Sequence, residues 1–174
     1  MTATEGKNIV LLWRKLSDQT KMDAKLMVYE TDHEVKLSAD GESVKTKFAT
    51  INTSSSTEEE VSFTSYADSQ DSIYAYLEKA MLDQEKLEMW ELNLTDENGE
   101  FKEKQKYPAK YRQGVLTELN SKNPTDGYME IDGTFKTDFV RQEGEATFTA
   151  EQLEAVAYVF EDTTKKSEEL SEEL

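Results

Sequence analysis

The chain has 174 residues, no cysteine, and 37 acids against 20 bases, for a formal net charge of −17. That length suits one domain with a modest appendage, and a hydrophobic fraction of 36% leaves segments that must lie outside its core. Such acidity argues against binding to nucleic acid, the missing cysteines exclude disulfides and thiolate metal sites, and the apolar run Ile9–Trp13 is too short for a signal core or a membrane span.

After a loose lead-in, "NIVLLWRKL" predicts a first strand, and "AKLMVYETDHEVKL" predicts extended chain interrupted near Thr31 and Asp32. The next segment, Ser38–Thr57, is polar, with only Val44, Phe48 and Ile51 as large apolar groups. Val61 and Phe63 then alternate with Ser62 and Thr64, as in a half-buried strand. A helix over about 69–83 follows, with Asp68 as its cap and Ile73, Tyr76, Leu77, Ala80 and Met81 on one face. "KLEMWELNL" resumes strand character. Asn98-Gly99 predicts a tight hairpin, because both residues tolerate positive φ. "KYPAKYRQGVLTEL" reads as the return strand, with Pro108 at a strand start or edge.

"YMEIDGTFKTDF" sends Met129, Ile131 and Phe135 one way and Glu130, Asp132, Thr134 and Lys136 the other. In "GEATFTAEQLEAVAYVF" a strand gives way to a short helix capped by Thr149 with Glu151 and Gln152. The expected architecture is mainly antiparallel β, a sandwich or small barrel, with one packed α-helix and a long extended loop or hairpin arm. It occupies one domain, 1–163, and leaves an acidic tail over 164–174.

No reactive constellation accompanies this framework. His33 is the only histidine and reads as structural, since a triad needs a nucleophile and an orienting acid beside it. The seven glycines are scattered, so no phosphate-cradling loop forms. A calcium loop centred on Gly99 would put Leu94 and Gln105 where carboxylates are required. Close carboxylate pairs arise by chance in so acidic a chain. The expectation is no enzyme, no cofactor and no metal.

Taken together, Gly6–Arg14, Val61–Ala67, Lys86–Leu94, Lys106–Leu119 and Gly144–Thr163 resemble the major tail proteins of long-tailed phages with non-contractile tails. The resemblance spans roughly residues 6–163. It implies a β-sandwich or barrel flanked by a helix, six copies to a ring, and rings stacked into a hollow tube that carries the genome. It also implies a long loop between two early strands that reaches a neighbouring copy. Tape-measure, terminator and distal tail proteins are the further partners it implies, in a virion tail assembled in the host cytoplasm, with DNA passing through unbound and no membrane contact. The alternatives are a terminator or connector of the same fold that does not polymerise, or an unrelated acidic β-sandwich binding module.

Ordering about twenty residues costs more than three apolar side chains return, so Ser38–Thr57 is expected to be largely disordered in a free monomer. It would order by strand addition to a partner's sheet edge. The inter-subunit arm is assigned to Ser38, Asp40, Gly41, Glu42, Val44, Lys45, Lys47, Phe48 and Ile51. Strand alternation turns Glu34, Lys36, Glu58, Glu60, Glu130 and Asp132 away from the core, and these are the candidates for a predominantly acidic channel wall.

Overall fold

β1 (Ile9–Lys15) carries Leu11 and Trp13 on one face and Leu12 on the other, and all three are buried. A strand with two buried faces needs cover on both, and the fold supplies it. The computed structural model describes residues 3–67, 73–96 and 98–157. After β1 come β2 (Lys25–Leu26), β3 (Glu30–Ser38), β4 (Gly41–Lys45), β5 (Thr50–Ser54), β6 (Glu58–Tyr66), α1 (Ile73–Leu82), β7 (Leu87–Asn93), β8 (Lys106–Lys122), β9 (Glu130–Thr137), β10 (Gln142–Thr147) and α2 (Ala150–Ala157).

All strands except β4 and β5 join one antiparallel sheet ordered β2-β1-β7-β8-β9-β6-β3, with β10 beside the first half of β8 and β9 beside the second. The chain from β2 into β3 leaves one end of this sheet and joins the other. Met27 N–H donates to Leu11 O at 3.1 Å, and Tyr66 N–H donates to Tyr29 O at 3.0 Å. The sheet therefore curls into a barrel, and Trp13 of β1 meets Phe63 of β6 at 5.2 Å and Phe135 of β9 at 5.3 Å. The predicted interruption near Thr31 is a bulge between Glu30 and Asp32, which re-aims the strand as it changes partner.

Inside the barrel, Trp13, Val61, Phe63, Met89, Ile131 and Phe135 pack together, and α1 adds Ile73, Leu77 and Ala80. Tyr76, expected on the same apolar face, packs against this cluster half-buried, while its hydroxyl accepts from Lys15 N–H at 2.7 Å and donates to Asp18 at 2.9 Å. Asp68, the expected cap, and the tail over 164–174 lie outside the described residues. The opposite face of β1, β7 and β8 holds a second cluster, with Leu12, Leu92, Tyr107 and Phe148 under α2. Trp90, expected in the core, is half-buried there, against Tyr111 at 5.2 Å and under the Arg14 guanidinium at 5.0 Å.

α2 starts with a reciprocal capping box. Gln152 N–H donates to Thr149 Oγ1 at 3.2 Å, and Thr149 N–H donates to Gln152 Oε1 at 3.0 Å. The Asn98-Gly99 turn differs from expectation. Only Gly99 has positive φ (80°), and Asp96 ties the turn by accepting from Asn98 and Glu100 N–H. At Gly133 the backbone passes so close to Phe63 that a Cβ would sit 2.7 Å from the ring, so only glycine fits.

Candidate functional site

Every residue from 36 to 58 is exposed, so this segment makes no core of its own. It is nevertheless paired. Of the expected loop or hairpin arm it is the hairpin: β4 and β5 form a two-stranded ladder, with Val44 opposite Ile51 and Ser43 opposite Asn52. Burial in the barrel does not order it. Local hydrogen bonding does: Ser43 Oγ donates to Asn52 Oδ1 at 2.7 Å, and Thr46 seals the tip. The Thr46 hydroxyl accepts from Ala49 N–H at 3.0 Å and donates to Ala49 O at 2.8 Å. This side-chain turn lets Lys47 and Phe48 cross over without the positive φ that such short tips usually require.

The hairpin continues the β3–β6 ribbon. Ser38 pairs with Glu58, Ser55 N–H donates to Asp40 O at 2.7 Å, and Gly41 pairs with Ser54. The return strand carries one extra residue between these pairs, a bulge that re-aims the arm relative to the barrel. Asp40, Gly41, Glu42 and Lys45 lie along the stem, and Lys47 and Phe48 form the tip. Phe48 is 99% exposed, and Val44 and Ile51 are each more than half exposed on one face.

The candidate wall residues share one surface. Register places Glu34 beside Ser62 and Thr134, Glu60 between Lys36 and Lys136, Ser38 beside Glu58, Asp132 beside Thr64, and Glu130 beside Tyr66. All stand on the side of β3, β6 and β9 opposite Val61, Phe63, Ile131 and Phe135. Glu34, Lys36 and Glu58 are exposed, while Glu60, Glu130 and Asp132 are half-buried. Acids predominate, although Lys136 approaches Glu60 at 3.9 Å and Asn120 donates to Asp132 at 2.8 Å.

Sequence reasoning missed a buried charge network inside the barrel. Arg112 is shut off from solvent, donating to Glu59 at 2.5 Å and standing 4.0 Å from Glu91. Arg141 reaches the same Glu59 oxygen at 3.4 Å. The two ring nitrogens of His33 face Glu30 and Glu91. Burial opposes the His33 charge, but both carboxylates outweigh it and raise its pKa to about 9. Glu91 is also disfavoured by burial, yet His33, Arg112 and Lys110 hold its carboxyl below the usual range. The available signal was phase: Glu59 falls on the same face as Val61 and Phe63, and Arg112 on the same face as Leu116. No group of three or more metal-ligating side chains occurs among the described residues.

Comparison with known proteins gives a consistent set of relatives. The phage tail tube protein family matches residues 3–140. A tail protein of Staphylococcus phage phiMR25 is 29% identical over 170 residues, covering 95% of this chain and 86% of that protein. The solved tail tube of SPP1 aligns with a TM-score of 0.70 at 14% identity, covering 95% of this chain and 92% of that one. The tail of an empty gene transfer agent particle, described with C6 symmetry, aligns with a TM-score of 0.60 at 9% identity, covering 82% of this chain and 99% of that one.

Proposed function

The chain belongs to the phage tail tube protein family and is a structural subunit of a tail tube, and from that premise we propose that six copies close into a ring and that rings stack into a hollow conduit for DNA. The observation that supports this reading most directly is the arm. A hairpin that exposes Val44, Phe48 and Ile51 to water, with no strand of the barrel paired to it among the described residues, has the form of a segment completed by another copy. The acidic surface of β3, β6 and β9 would line the channel, where it repels phosphate instead of gripping it.

The role is structural, with no reaction to catalyse. Its partners are further copies of itself in the virion tail, with tape-measure, terminator and distal tail proteins at the ends and assembly in the host cytoplasm. Negative-stain microscopy over a concentration series tests the reading, and hollow tubes with sixfold end views are expected. Discrete rings that never stack would indicate a terminator or connector instead. A strict monomer at every concentration would return the chain to the class of acidic binding modules.

A further inference from the structure

A subunit that stacks in an open series needs two different surfaces facing opposite ways, each complementary to the other. The β3–β6 ribbon carries such a pair at its two ends. At one end, beyond Ser38 and Glu58, the arm presents Phe48 with Lys45 and Lys47. Neither lysine has an ion pair with a described residue, so their charges are available to a partner.

At the other end, beyond the Glu30–Ser65 pair, the backbone of Tyr29 lies beside that of Tyr66, whose N–H donates to Tyr29 O at 3.0 Å. The Tyr66 ring meets the ring of Tyr128 edge-on at 6.1 Å. Tyr29 is 51% exposed and Tyr128 is 80% exposed. Tyrosines standing together in water are the residue type that anchors protein interfaces, because each buries a large ring at little entropic cost. The surrounding charge is acidic, with Asp126 and Glu130 against one lysine, Lys122.

The two ends match in chemistry. Aromatic rings receive both a phenyl ring and ammonium groups favourably, the latter through cation–π attraction, and the nearby carboxylates add to the pull on Lys45 and Lys47. We propose that the arm tip of one copy docks on the Tyr29–Tyr66–Tyr128 patch of the copy stacked next to it. This deepens the tube reading and rests on it. The contact is heterologous, so it propagates without closing, as stacking requires.

The absence of native cysteine makes a disulfide trap unambiguous. Tubes of the Phe48→Cys/Tyr128→Cys protein, assembled reduced and then oxidised, should run on a non-reducing gel as a ladder of covalent multimers. Either single variant should remain a monomer band. Phe48→Cys/Val140→Cys is the control for the arm-root cleft, where Val140 is also exposed, and should give no ladder. A ladder from that control, a dimer band from Phe48→Cys alone, or no ladder in intact tubes overturns the proposal. As a second measurement, Phe48→Ala and Tyr128→Ala should each raise the critical concentration for tube growth at least tenfold, with the monomer melting temperature unchanged. The double variant should be no worse than the weaker single one. Alanine variants that polymerise like the parent also overturn the proposal. A parent protein that forms no tubes at any concentration removes the tube reading itself, whereas tubes that form without the cross-link remove only this contact.

Discussion

His33 sits among carboxylates where a strand alternation alone would have put a plain core residue. Glu30 and Glu91 face its two nitrogens, and Arg112, Lys110 and Glu59 surround Glu91 and its neighbours. Its pKa of about 9 lies above the ordinary 6.5, which ties its charge to stability. A group whose pKa is raised on folding contributes fully below its unfolded pKa. That contribution fades from about pH 6.5 upward and is gone above about pH 9. The protein should therefore melt at a lower temperature at pH 9.5 than at pH 6, and His33→Gln should lose most of that difference. Thermal melts at the two pH values decide it, and an unchanged pH slope in the variant would remove His33 as the cause.

At the scale of elements, the arm and the barrel differ in what holds them. β7 is buried on both faces, whereas β4 and β5 pair only with each other among the described residues, and a lone two-stranded hairpin is marginal in water. Amides of residues 41–54 should exchange far faster than those of β7 in the free monomer and become protected in tubes. Hydrogen-exchange mass spectrometry on both forms tests this; monomer protection equal to that of β7 would show that the arm needs no neighbour. Most elements were legible from periodicity. Ile131 and Phe135 alternate inward as read, and Thr149 caps α2 through Gln152. The handover from β1 to β6 was not legible, because Met27 and Tyr29 are fixed by backbone bonds to residues remote in the sequence. A hairpin arm was legible, but what holds its strands together was not. Its order comes from the Thr46 hydroxyl and cross-strand polar pairs, which a tally of apolar residues does not count.

At the scale of the whole molecule, the formal charge of −17 acts through where it lies. On the tube reading, Glu34, Glu58, Glu60, Glu130 and Asp132 face a passage for DNA, and repulsion at physiological salt extends about 8 Å from such a wall. These acids lie opposite the apolar face of their strands, so changing them leaves the core intact. Glu58→Lys with Glu60→Lys should assemble into tubes of normal diameter, while genome delivery falls at least tenfold in an infectivity assay. Normal delivery from such tubes would move these strands away from the channel.

The arm is not a loop attached to the barrel: it is the same two strands, β3 and β6, carried past the barrel's edge. Tension applied at Phe48, as when a filament bends, therefore runs along β3 and β6. β6 is bonded to β9 over seven paired positions, and ladder bonds lie across the strand direction. Such a pull loads those bonds together in shear instead of peeling them one at a time. A subunit built this way can transmit force lengthwise while its barrel stays closed.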